Sequence, residues 1–212
     1  VINATLGLGC HWLAPMVDEF AKQFPKIDLV LIFSPQAKMD VAMREADLSI
    51  RLEAPQETDL IRARLMSYQH AIYTSEDYVA KNGIPKTINE LEKHSIITFG
   101  NHTGATHPYP EIDWLLTYQR PEQKKLIPTI QINSVSAILQ AVIHGAGIAS
   151  LPKYMVEQQP QLVEILPEIK APLTDVWIAY PEELRTSKRI KLFNEFIRSK
   201  ARLLVKKNLA II

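Results

Sequence analysis

The sequence predicts an α/β protein built as two lobes, on three observations. Residues 1–51 read strand, helix, strand, helix, strand, the order of a parallel sheet covered on both faces. A second strand–helix series begins near residue 95, and neither series is long enough for one large sheet. The closing strand and helix have no sheet of their own, so they are expected to return to the first lobe. With 212 residues, 47% hydrophobic and 22% charged, the chain has enough apolar material for a real core.

Each element follows from local pattern. Residues 1–5 are a short buried strand, and 6–9 read as a glycine-bearing loop. A helix over 13–24 rests on Leu13, Met16, Val17, Phe20, Ala21 and Phe24 at helical spacing, and Pro25 stops it. Residues 28–33 are almost all apolar, as in a strand buried on both faces. Ser34-Pro35 suits the cap and first position of a helix reaching about Arg44, and 47–51 form a third strand. Residues 60–74 are again strand-like. Ser75 caps a short helix that Gly83 ends, and Thr87-Ile88-Asn89-Glu90 reads as a capping box. Residues 95–99 form a strand, and 100–112, rich in Gly, His, Thr and Pro, a loop. Residues 114–118 and 126–132 read as extended segments around a turn at Arg120-Pro121. Asn133-Ser134 caps an apolar helix holding Ile138, Leu139, Val142 and Ile143, which Gly145 ends. Residues 148–151 are a strand, Pro152 opens a short helix, and 162–165 and 176–180 are strands. Ser187 begins a long helix with Ile190, Phe193, Ile197 and Leu204 on one face.

The chemistry bearing on function is sparse. The chain has 24 basic and 23 acidic residues, a net charge of +1. The basic residues are scattered except in the last helix (Lys188, Arg189, Lys191, Arg198, Lys200, Arg202, Lys206, Lys207), where they read as a solvated face. A domain that grips phosphates carries a basic surplus on one face, so this chain alone is not expected to bind DNA well. Cys10 is the one cysteine; it is expected to be a small buried hydrophobe, and its solitude fits a reducing compartment. His102 and His107 lack a third ligand, so no metal is expected. No Gly-x-Ser-x-Gly, phosphate loop or dinucleotide fingerprint is present, so neither a cofactor nor an enzyme activity is expected. No apolar window approaches the roughly 18 residues that span a bilayer. Val1 opens directly in a strand-like run, which reads as a cut or processed start. Trp12, Trp114 and Trp177 are expected in the core.

Candidate ligand contacts sit where strands meet helices, because helix N-termini favour anions. Gly7-Leu8-Gly9 lets the backbone approach a ligand. Ser34 and Arg51 end the second and third strands. Asn101, His102 and Thr103 follow the strand at 95–99, and Asn133 precedes a helix cap.

Asn133-Ser134-Val135-Ser136-Ala137-Ile138, followed by His144-Gly145-Ala146-Gly147-Ile148-Ala149-Ser150-Leu151-Pro152, resembles the best-known stretch of LysR-type effector domains. Phe24-Pro25 after the first helix, Asp47-Leu48-Ser49-Ile50, and Tyr180-Pro181 with the final helix match at the right separations. The likeness covers essentially the whole chain. It implies two Rossmann-like lobes joined by two crossover strands, like type II periplasmic binding proteins, with lobe I at 1–70 plus 175–212 and lobe II at 71–174. It implies an effector, small and anionic, in the interlobe cleft, and a cytoplasmic homodimer or tetramer formed through helices 13–24 and 135–144. DNA would be held only by an N-terminal winged helix-turn-helix outside this chain. Relatives carry a Ser or Thr beside Gly7 that helps hold a carboxylate; here Leu6 and Leu8 flank it, and Thr5 is the nearest substitute. The alternatives are a secreted bilobal solute-binding protein and an enzyme on the same scaffold.

Overall fold

The computed structural model describes residues 1–34, 45–100, 113–121 and 124–212, so the expected helix from Ser34 to Arg44 and the loop at 101–112 lie outside the described residues. The chain forms two compact units, one of Val1–Tyr68 with Thr174–Ile212 and one of Gln69–Leu173.

In the first unit, β1 (Ile2–Thr5) lies between β2 (Leu31–Ser34) and β3 (Leu48–Arg51), parallel to both. Beyond β3 come β9 (Leu173–Pro181), then β4 (Leu60–Ser75), then β10 (Ala210–Ile211). The β3–β9 pair is antiparallel, with Ile50 opposite Ile178, so the late strand returns to the first sheet as the sequence predicts. One face is covered by α2 (Val17–Gln23) and α7 (Lys188–Lys206). Phe20, 1% exposed, meets Phe193 and Phe196 edge-on with centroids 5.4 and 5.1 Å away. Ile190, Phe193, Ile197 and Leu204 are all buried, as their spacing predicts.

In the second unit, the end of β4 pairs antiparallel with β7 (Ala149–Pro152) and β8 (Leu162–Ile165), while β5 (Ile97–Phe99) and β6 (Ile130–Ile132) pair in parallel. Ser75 caps α3 (Glu76–Asn82), its Oγ accepting from Tyr78 N, and Gly83 ends it at φ 79°. Ser134 caps α5 (Val135–Ile143) in the same way, with Gly145 following at φ 75°. Pro152 opens α6 (Lys153–Val156). The core gathers Ile72, Tyr78, Leu91, Ile96, Trp114 and Ile148.

Four expectations are corrected. Residues 6–9 are not a loop. The chain turns helical at once, through α1 (Leu6–Leu8), a π-helical stretch Gly9–Leu13 and a 3-10 turn Ala14–Met16, because Leu8, Trp12 and Leu13 bury on one side. Residues 114–118 contain α4 (Trp114–Thr117), since the adjacent Trp114 and Leu115 both enter the core and a half-buried strand cannot do that. Thr87 makes no capping bond; a 3-10 helix Ile88–Lys93 forms instead, and Glu90 accepts from Lys86 N at 2.7 Å. Cys10 is exposed, as it lies on the outer side of the π-helical turn. Trp12 and Trp114 are buried, and Trp177 is half-buried.

Two stability predictions follow. A Cβ at Gly147 would lie 2.4 Å from the Ser95 carbonyl oxygen; Gly147→Ala is expected to destabilise by about 2 kcal/mol or more, read by urea unfolding. His70, 4% exposed, is held at about 4 by desolvation, below the unfolded value near 6.5. The stabilisation it gives as a neutral ring is complete above about pH 6.5 and lost as pH falls towards 4, about 3 kcal/mol in all. Unfolding curves should show that slope in the natural chain and lack it in His70→Gln.

Candidate functional site

Three of the candidate residues come together at the carboxyl edge of the first unit's parallel strands. The register pairs Thr5 with Ser34. Arg51 lies one residue beyond Ile50, the partner of Ala4, so strand alternation sets Thr5, Ser34 and Arg51 on one face. In open parallel sheets this edge is where ligands bind.

Their polar groups differ in how far they are satisfied. Ser34 Oγ is buried with no hydrogen-bond partner among the described residues, and so is Asn3 Oδ1, whose amide nitrogen donates to Ile32 O at 3.2 Å. Arg51 is only 8% exposed. Its Nε donates to Ser49 Oγ at 3.0 Å and its Nη1 to Glu57 Oε1 at 2.8 Å, and the guanidinium in turn holds the Glu57 carboxyl below its ordinary range. Nη2 has no partner among the described residues. Thr5 precedes the helical run without a side-chain bond to its first turn, so the leading N–H groups lack the usual side-chain cap.

Gly7, Leu8 and Gly9 lie inside the helical run and are buried. A Cβ at Gly9 would lie 2.4 Å from the Phe33 ring, so that glycine lets the helix pack onto β2. Leu8, 1% exposed, is a core residue.

In the second unit, Asn133 is exposed just before the cap of α5. Asn101, His102 and Thr103 lie outside the described residues, as does His107. Among the described residues no group of histidine, cysteine and acidic side chains could hold a metal.

Sequence reading did not single out the polar groups at the heart of the second unit. Thr98 donates to the Asp113 carboxylate. The Trp114 indole N–H donates to Ser150 Oγ at 2.7 Å, and Ser150 Oγ lies 3.4 Å from His70 Nδ1. With Ser150 accepting from Trp114, its own proton is available to an unprotonated Nδ1, in keeping with a neutral His70. These groups adjoin a shallow recess lined by Thr98, Phe99, Leu115, Val135, Ile138 and Ser150. The signal available was Ser150 itself, a polar residue inside an otherwise apolar strand.

Comparison with known proteins gives this geometry its context. The LysR substrate binding domain matches residues 1–202. An uncharacterized HTH-type transcriptional regulator of Haemophilus influenzae is 25% identical over 185 residues, 85% of this chain and 62% of that protein. The HTH-type transcriptional regulator PtxR of Pseudomonas aeruginosa is also 25% identical, over 84% of this chain and 56% of its own length. The chain thus spans about three fifths of such relatives. Among solved structures, the regulatory domain of CrgA, a LysR-type transcriptional regulator of Neisseria meningitidis, superposes with a TM-score of 0.81 at 22% identity, covering 94% of this chain and 97% of that one. The effector domain of the regulator AmpR of Pseudomonas aeruginosa gives 0.75 at 16% identity, covering 98% and 97%. These likenesses carry the type II periplasmic-binding-protein-like bilobal fold. The chain therefore belongs to the LysR substrate-binding domain family, the effector-binding domains of transcriptional regulators rather than enzymes.

Proposed function

We propose that this domain senses a small anionic metabolite on behalf of a DNA-binding regulator. The observation that supports it best is the convergence of Thr5, Ser34 and Arg51 at the carboxyl ends of three adjacent parallel strands, beside a helical run with no side-chain cap. A carboxylate there would accept from Ser34 Oγ, from Arg51 Nη2 and from first-turn amides. Asn101, His102, Thr103 and Asn133 are the further candidates that the family resemblance offers. Gly7, Leu8 and Gly9 would set the course of the backbone more than touch the ligand. Glu57 already shares Arg51, so an anionic ligand competes with or bridges that ion pair, which tempers its affinity.

A ligand alters a regulator only through differential affinity for two arrangements of it, with coupling free energies of about 1–3 kcal/mol. Here the arrangements would be those of a homodimer or tetramer whose DNA-binding heads precede Val1. The expected contacts are the helical segments 13–24 and 135–144. Val17 is half-exposed and suited to an interface. Leu139 is 0% exposed inside the second unit, so a charge there tests folding and not assembly.

A thermal-shift screen with small carboxylic acids tests the sensing reading. A true effector at 100 times its Kd should add about 2.7 kcal/mol. Ser34→Ala should raise ligand-free stability by about 1 kcal/mol, by removing an unsatisfied buried hydroxyl, and should weaken the effector about tenfold. Effector affinity unchanged from the natural chain in both Ser34→Ala and Arg51→Gln would sink the assignment. Separately, Val17→Asp should sediment as a monomer with an unchanged circular dichroism spectrum; an unaltered oligomer would remove segment 13–24 from the interface.

A further inference from the structure

Helix α7 concentrates charge that the rest of the chain lacks. It carries seven basic residues and one acid, Glu195. That helix therefore stands at +6 in a chain of net charge +1, leaving the remaining residues at −5. Its inward face is apolar. Lys188, Lys191, Arg198, Arg202 and Lys206 recur at helical spacing on the opposite side; all are exposed except the half-buried Arg198, and the exposed Glu195 lies on the same side, in the gap between Lys191 and Arg198. Arg198 Nε donates to the amide oxygen Asn194 Oδ1 at 2.9 Å, whereas Lys200, off the stripe, is paired with Glu19. None of the five stripe residues has a carboxylate partner among the described residues.

Solvation alone leaves two local conflicts in place. Arg198 and Arg202, and Arg202 and Lys206, are like charges at i,i+4, which repel within a helix. The first turn of α7 has no acidic residue and Ser187 makes no side-chain capping bond, so Lys188, Arg189 and Lys191 crowd the positive end of the helix dipole. A polyanion laid along the stripe relieves both.

Against the expectation from sequence of a merely solvated face, with DNA held by the N-terminal domain alone, we infer that this stripe is a docking surface for the phosphate backbone of duplex DNA, a contact additional to that of the DNA-binding heads. The stripe runs straight for about 27 Å at 1.5 Å per residue, with neighbours at i,i+4 about 6 Å apart. Duplex DNA carries about one negative charge per 1.7 Å of its axis, both strands counted, a density that an acidic patch on a globular surface does not sustain over that length. The inference rests on the regulator reading, in which duplex DNA is the polyanion within reach.

The test is fluorescence anisotropy of the 212-residue chain with a short labelled duplex of unrelated sequence across a salt series. Five phosphate contacts give a slope of log K against log salt of about −4.5. The K191Q/R198Q/R202Q variant should lower the slope to about −2 and weaken binding more than about tenfold at low salt. Glutamine keeps helix propensity close to that of the residues replaced; should this triple variant lose helicity, the Lys188→Gln/Lys206→Gln pair replaces it, with a slope near −3. No binding by the natural chain at low salt, or a slope unmoved by these substitutions, overturns the inference. Competition by polyglutamate as strong as by DNA, charge for charge, overturns it in favour of an acidic protein surface. The metabolite thermal shift, read on the same variants, separates the two readings: it should survive the stripe substitutions, and its absence from the natural chain counts against sensing and not against docking.

Discussion

The fold hangs on the placement of β1 between two parallel neighbours. A strand hydrogen-bonded on both edges and covered on both faces must satisfy every backbone group within the protein, and Asn3 and Ala4 are accordingly 0% exposed. That position fixes the register of β2 and β3, and the register decides which side chains emerge together at the carboxyl edge. The aromatic cluster of Phe20, Phe193 and Phe196 holds α2 and α7 against one face. The close approach of Gly9 to Phe33 seats the start of the helical run tightly enough for its first turn to border the same edge.

The polar groups at that edge are held in different states of readiness. Arg51 is buried and its charge is answered by Glu57, so it is positioned by its neighbours before any ligand arrives; such preorganisation lowers the cost of ordering on binding. Ser34 is the opposite case. Its buried hydroxyl has no partner among the described residues, which is destabilising, and a ligand that supplied one would recover that free energy. In the proposed site one group would fix geometry and the other would reward occupancy.

Much of the fold is legible in the sequence because its signals are local. Ser75 with Gly83, and Ser134 with Gly145, bracket two helices by capping chemistry that needs no tertiary context. The apolar face of α7 is equally plain. What misleads is glycine and tryptophan. Gly7 and Gly9 mimic a loop, yet Gly9 serves helix-to-strand contact, a demand set by Phe33 more than twenty residues later. Trp114 and Leu115 mimic alternation because four residues are too few to separate the two periods. At the candidate site, Arg51 and Ser34 are visible as polar residues ending apolar strands, but the Glu57 partner lies in an irregular segment with no pattern. The Trp114–Ser150–His70 chain joins three elements that only folding brings together. Asn101, His102 and Thr103 rest on the sequence alone.

β4 runs unbroken from Leu60 to Ser75, and the division between the units falls within it, between Tyr68 and Gln69. Its sixteen residues therefore carry one pleat through both halves. An inserted or deleted residue at that junction would turn His70, Ile72 and Thr74 to the side now taken by Gln69, Ala71 and Tyr73; because Ala71 to Thr74 are buried whichever way they point, both faces of the second half would have to repack. The two halves can drift apart in sequence, but the length of the strand between them is fixed, and recombination between relatives would succeed only where the count is kept.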